Sequence, residues 1–223
     1  MDSGLLLQAT KKFVLGLLVV GLLIFLPAGT IDFPNGWLFI GLLFIPMLIM
    51  GIIIFIKNPA LLQKRLNAKE KESEQKLVVL LSGLMFISAF VLAGLNYRFN
   101  LTKLPSIIVT ISSIIFLLAY VMYIEVLREN EYLSRTIEVD ENQKVIDKGL
   151  YGIVRHPMYT STIFLFLSMP LILGSIYSFV ILLIYPILIA FRIRNEEKVL
   201  EHELDGYREY KNKVNYKIFP LIW

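Results

Sequence analysis

The chain of 223 residues contains no cysteine. That excludes disulfides, thiolate metal ligation and a thiol nucleophile. Only two histidines are present, His156 and His202, whereas a metal centre ordinarily draws three or four ligands, so no metal is expected. No glycine-rich phosphate fingerprint and no nucleic-acid motif appears. Charge is missing over long stretches. Phe13 to Ile56 holds one charged residue, Asp32; Leu77 to Ile124 holds Arg98 and Lys103; Pro157 to Phe191 holds none. Helices that face water are interrupted by polar positions every few residues. Runs of this length require hydrocarbon, and the chain reads as an integral membrane protein.

A hydrocarbon layer about 30 Å thick takes roughly 20 apolar helical residues per crossing. Turn signals divide the first two blocks, at Ala28 to Trp37 and at Asn96 to Pro105. The expected transmembrane helices are therefore 13–28, 37–56, 77–95 and 104–124. The third block weakens at Gly174-Ser175, giving a helical hairpin over 157–191 with arms near 158–173 and 176–191. Each arm of about 16 residues reaches only ~24 Å, which calls for tilt, thinning or incomplete crossing. The expected class is an all-α integral membrane protein with about four transmembrane helices, a C-terminal membrane hairpin and a cytoplasmic amphipathic helix. Residues 1–127 and 128–223 are expected to form one membrane domain, with the second part carrying the chemistry.

The loop from Lys57 to Lys76 carries Lys57, Lys64, Arg65, Lys69, Lys71 and Lys76. The positive-inside tendency makes that loop cytoplasmic, and with it the N-terminus and everything after helix four. Residues 125–156 and 192–223 then share that side and hold twelve of the 22 basic residues. A net charge of +4 suits anionic lipid and does not indicate nucleic acid. Lys11 and Lys12 before an apolar run resemble a secretory signal, but no clean small-residue cleavage pair follows, so the first helix is expected to be retained.

Two polar segments flank the hairpin. Arg135 to Val139 alternates like a short strand and leads into a turn at Asp140 to Gln143. On the other side, Leu200, Leu204, Tyr207, Tyr210 and Val214 recur at helical spacing and form one apolar stripe on a charged helix. Such a stripe is expected to pack or to lie on the membrane surface.

The chemistry concentrates where the chain meets lipid. GLYGIVRHPMY, Gly149 to Tyr159, brings a glycine turn, a guanidinium, an imidazole and a phenol to the hairpin's start, with Pro157 suited to a first helical turn. FRIRNEE, Phe191 to Glu197, sits at its exit. Each piece alone also suits an interfacial anchor or a surface ion pair such as Arg192 with Glu196. A hairpin, however, sets its two ends side by side, so His156 and Glu196 are expected to be neighbours. Two ionic clusters converging at the edge of hydrocarbon indicate a site.

From Gln143 to Trp223 the ordered set QKVIDKGLYGIVRHPMY, apolar hairpin, RIRNEE, YREYKNKV and Phe219-Pro220 resembles the integral membrane methyltransferases typified by isoprenylcysteine carboxyl methyltransferase. Residues 1–142 match that family only as apolar spans. The family's usual Gly-Pro-Tyr-Arg before Val-Arg-His-Pro is altered here at Leu150 and Gly152, whereas Val154, Arg155, His156, Pro157, Tyr159, Glu196 and Glu197 keep the pattern. The resemblance implies S-adenosylmethionine as cofactor, held on the cytoplasmic side by the hairpin ends, and a lipophilic acceptor arriving from the bilayer. It places Tyr151, Val154, Arg155, His156, Pro157, Tyr159, Glu196 and Glu197 at the cofactor. Arg155, His156 and nearby amides would hold its carboxylate, Glu196 or Glu197 its ammonium or ribose hydroxyls, and Tyr151 and Tyr159 its adenine or sulfonium. Arg194 or Arg192 would orient an anionic acceptor, with Glu197 beside them as a third catalytic candidate. The acceptor is expected to be a prenylcysteine-like carboxyl group or another lipid. Two alternatives stay open: a membrane NADPH-dependent lipid reductase of the steroid-reductase-like type, and a non-catalytic scaffold whose cytoplasmic helix binds a partner.

Overall fold

The computed structural model describes residues 3–67, 73–134, 136, 139 and 141–223. Among them all regular structure is helical. The elements are α1 (Ser3–Ala28), α2 (Pro34–Lys57), α3 (Pro59–Leu66), α4 (Ser73–Phe99), α5 (Ser106–Glu129), a single 3₁₀ turn (Gly149–Gly152), α6 (Pro157–Ile172), α7 (Ile176–Leu182), α8 (Tyr185–Glu203) and α9 (Tyr207–Lys213). Helices α1, α2, α4, α5 and the unit Ile176–Glu203 formed by α7 and α8 are long and apolar enough to cross a membrane. The protein is a multi-pass membrane protein. Leu15, Leu22, Leu26, Ile45 and Ile56 are each more than 60% exposed on α1 and α2, an apolar surface suited to lipid.

The helices run past the expected spans because intrahelical hydrogen bonding continues beyond the apolar core wherever the sequence allows it. α1 starts at Ser3 instead of near residue 13, and α5 ends at Glu129 instead of near 124. Asn58 then turns the chain. Its side chain accepts from Leu61 N–H (3.1 Å), and Pro59 occupies the first position of α3, where no amide hydrogen is needed.

The bundle is held by an aromatic core in which Phe39 lies against Phe90 and Phe116, with Phe116 continuing to Tyr120. At the end of α4, Asn96 donates to Thr102 O and Gly174 O, both at 3.2 Å, and its Oδ1 accepts from Thr102 Oγ1 at 2.7 Å. This knot fixes the α4–α5 connection against the tip of the hairpin. Ser178 Oγ in α7 donates to Ala89 O (2.8 Å) and carries the returning arm along α4.

The second arm of the hairpin is not one helix. Pro186 lacks an amide hydrogen, and its ring would clash with the carbonyl one turn back, so α7 stops at Leu182 and α8 restarts with Pro186 in its first turn. From there α8 passes without a break from apolar Ile187 through the Arg192–Glu197 cluster to Glu203. The expected single amphipathic helix is likewise divided. α8 ends at Glu203, with Leu204 extended, and Gly206 at φ +81° starts α9. The stripe survives the bend: Leu204, Tyr207, Tyr210 and Val214 form one buried cluster, against which Val139, Val145 and Leu200 pack. Its cover is protein. The expected strand at Arg135–Val139 and the start of the turn at Asp140 involve residues 135, 137, 138 and 140, which lie outside the described residues.

Helices α1 and α4 cross at Gly94, where a Cβ would lie 2.4 Å from Ile24 O, a backbone atom that cannot yield. Close approach through a small residue is a common means of packing helices in lipid. Gly94→Ala is expected to destabilise the protein by about 1–3 kcal/mol through overpacking. Gly83→Ala on the same helix, with nothing within 4 Å of its Cβ, is expected to be neutral or slightly stabilising. Thermal unfolding of both variants in detergent checks the contrast.

Candidate functional site

The site begins where α5 ends. Both carboxylate oxygens of Glu129 accept from Leu150 N–H, at 3.1 and 3.0 Å. Gly149 makes this possible: at φ +58° its backbone comes so close that a Cβ would stand 1.7 Å from Glu129 Oε1. The 3₁₀ turn that follows presents Tyr151, whose hydroxyl accepts from Asn130 Nδ2 (2.9 Å) and whose carbonyl accepts from Tyr210 OH (2.7 Å).

The backbone of residues 155 and 156 pairs with the C-terminal segment. Arg155 N–H donates to Tyr216 O (2.9 Å) and His156 N–H to Lys217 O (2.8 Å). Thr160, one turn into α6, adds a bond from Oγ1 to Ile218 O (2.8 Å). Backbone donors ahead of α6 thus find their acceptors some 60 residues later. Pro157, at the first position of α6, has no donor to satisfy.

Glu197 lies at the centre of this junction and is 4% exposed. Its Oε1 accepts from Arg155 Nε (2.8 Å) and lies 3.2 Å from His156 Nε2, while its Oε2 pairs with Lys217 Nζ at 2.9 Å. Arg155 also donates through one terminal nitrogen to Val214 O (2.7 Å) and Asn215 O (2.9 Å). One carboxylate therefore joins the start of α6, the middle of α8 and the segment after α9.

A second bridge spans α6 and α8. Tyr159 OH donates to Glu196 Oε2 at 2.6 Å and accepts from Arg192 Nε at 2.9 Å. The Tyr159 phenol thus links Arg192 to Glu196. Arg194 is elsewhere. Two residues along an α-helix turn about 200°, so Arg192 and Arg194 point to opposite sides of α8. Arg194 lies over the Phe191 ring (5.9 Å) and lines a separate groove with Lys198, Lys211 and Lys217.

Between these bridges and the cluster at α9 lies an open-mouthed cleft with a cavity volume of about 100 Å³. Of the expected site residues, the cleft brings together Tyr151, Arg155, His156, Tyr159, Arg192 and Glu196. Val154 and Pro157 are buried beside it, and Glu197 supports it from behind. Tyrosines dominate the far wall: Tyr132, Tyr207 and Tyr210 join Tyr151 and Tyr159. Burial pushes the phenols of Tyr151, Tyr207 and Tyr210 well above their ordinary range, so each is a neutral hydroxyl. Among the described residues no group of three or more His, Asp or Glu side chains could hold a metal ion.

Several of these groups had no readable signal. Lys217 and Tyr207 were indistinguishable from surface charge and a packing stripe. Arg65, in the basic segment that indicates orientation, reaches across from α3. It donates to Ser134 O (3.1 Å) and to Tyr123 OH and lies 4.0 Å from Met158 Sδ. Ser134 and Met158 both line the cleft. Removing one partner from a buried ionic cluster leaves the others uncompensated. Glu197→Ala is expected to cost about 3–5 kcal/mol of stability, measured as a lowered unfolding temperature in detergent, with Glu197→Gln intermediate.

No curated protein matches the chain. Residues 106–205 match the family model for phospholipid methyltransferase, a stretch that runs from the start of α5 to just past α8 and contains both bridges of the cleft except for Lys217 and the carbonyls after α9.

Proposed function

We propose that the cleft binds S-adenosylmethionine and that the protein transfers its methyl group to a lipid acceptor reached from the bilayer. The observation that carries this is the position of the Arg192–Tyr159–Glu196 bridge. It lines the cleft at the point where α6 and α8 change from apolar to charged, inside the stretch that matches the methyltransferase family. The residues suit the cofactor. A sulfonium is a cation, and the wall offers several tyrosine faces and the carboxylate of Glu196, whose Oε2 is fixed by Tyr159. Aromatic faces attract such a cation by about 0.5–2 kcal/mol. Glu196 would receive the ammonium or ribose hydroxyls, and Arg155 and His156 would face the carboxylate. Glu197 orients those two and is too fully committed to serve the ligand itself.

When bound, S-adenosylmethionine supplies an activated methyl group that an acceptor takes by in-line displacement. The chain's part is alignment: holding two reactants in the productive geometry can lower a barrier by about 7–11 kcal/mol. Arg192, fixed by Tyr159, is placed to orient an anionic acceptor at the lipid edge of the cleft. A prenylcysteine-like or other lipid carboxylate is already ionised and requires no base. The family match favours a second acceptor, a phospholipid headgroup; if its nucleophile is a protonated amine, it must first lose a proton, and His156 is the imidazole at hand. The basic residues between Lys57 and Lys76 favour a cytoplasmic position for the cleft.

Titration of the purified protein with S-adenosylhomocysteine is expected to show binding that Glu196→Ala and His156→Ala each weaken about tenfold or more, as loss of a charge-assisted contact of about 1.5–3 kcal/mol would. Unchanged affinity in both variants would refute the site. Incubation with radiolabelled S-adenosylmethionine is expected to label the lipid extract. Label released by mild base identifies a methyl ester, and base-stable label an amine or ether.

A further inference from the structure

Among the described residues, one buried side-chain polar atom in the wall of the cleft has no hydrogen-bond partner. Tyr207 is 4% exposed and lines the cleft beside Arg155, His156, Glu196 and Tyr210. Its hydroxyl is buried and makes no hydrogen bond. Three other phenols of the cleft are engaged: Tyr151 with Asn130, Tyr159 with Glu196 and Arg192, Tyr210 with Tyr151 O. A protein that needed Tyr207 only for packing would do better with phenylalanine, since a buried hydroxyl with no partner costs about 1–3 kcal/mol.

We propose that Tyr207 is a ligand-binding residue whose hydroxyl donates a hydrogen bond to a neutral acceptor on the nucleoside part of the methyl donor, a ribose oxygen or a ring nitrogen. This rests on the assignment of the cleft to S-adenosylmethionine. Two features select that part of the ligand. Burial, with the charges of Glu197 and Glu196 nearby, keeps the phenol protonated, so it acts as a donor. The ligand's own carboxylate is assigned to Arg155 and His156, which leaves a neutral acceptor for Tyr207. The backbone fits the placement: Gly206, at φ +81°, begins α9 at Tyr207, whose ring lies 5.8 Å from that of Tyr210 one turn on.

The test is Tyr207→Phe in the full-length protein, read by thermal unfolding without ligand and by titration with two probes. One probe is S-adenosylhomocysteine; the other is 5′-methylthioadenosine, which keeps the nucleoside and lacks the amino-acid end. The expected result is an unfolding temperature equal to or above wild type, with affinity for both probes lowered about three- to tenfold, the loss of one ordinary hydrogen bond. Equal affinity for both probes in variant and wild type would overturn the proposal. Weaker binding of S-adenosylhomocysteine alone would overturn the nucleoside assignment, and a lower unfolding temperature would make the hydroxyl a structural group. If the wild type binds neither probe, the assignment of the cleft itself has failed and this inference falls with it.

Discussion

The buried carboxylate of Glu197 is the constraint on which the arrangement depends. Taking a charge out of water costs several kcal/mol unless partners compensate. Here the compensation comes from Arg155, His156 and Lys217, three groups on two segments remote in sequence. Arg155 in turn requires the carbonyls of Val214 and Asn215. No part of this set can be satisfied unless α6, α8 and the chain beyond α9 meet at one point. The cleft is the space that this meeting leaves between the 3₁₀ turn, α8 and α9.

The hairpin makes the meeting possible, and its irregularity matters. Because Pro186 ends the returning arm at α7, α8 starts afresh within the apolar region and continues straight into the ionic cluster. Helical periodicity then distributes the cluster among three environments: Arg192 and Glu196 toward the cleft, Glu197 into the junction, Arg194 to the groove behind. The lipid-facing helices and the polar cleft are thereby parts of one rigid path. A lipid acceptor approaching along α6 or α8 would meet Tyr159 and Arg192 at the boundary.

The apolar spans were legible because hydrocarbon imposes a length and excludes charge, and Asp32, Arg98 and Lys103 mark the interruptions directly. Convergence of Gly149–Tyr159 with Phe191–Glu197 was legible too, since a hairpin returns to its own start. The division of the apolar stripe was hidden, because Leu204, Tyr207, Tyr210 and Val214 keep helical spacing across the bend at Gly206. Pairing of Arg155 and His156 with Tyr216 and Lys217 leaves no pattern in either segment, as it consists of two backbone bonds with no alternation of side chains. Arg65 gave only a loop charge in the sequence, and its contact with Ser134 depends on how α3 packs.

The central claim is that the ionic segments on either side of the hairpin form a single coupled cluster, and a double-mutant cycle between Arg155 and Glu197 tests it most directly. Unfolding free energies of the two alanine variants and their combination give the coupling. The account predicts a strongly non-additive cycle, with the double variant little worse than the poorer single one and a coupling above about 1 kcal/mol. Losses that add to within about 0.5 kcal/mol, as those of distant independent residues do, would contradict it.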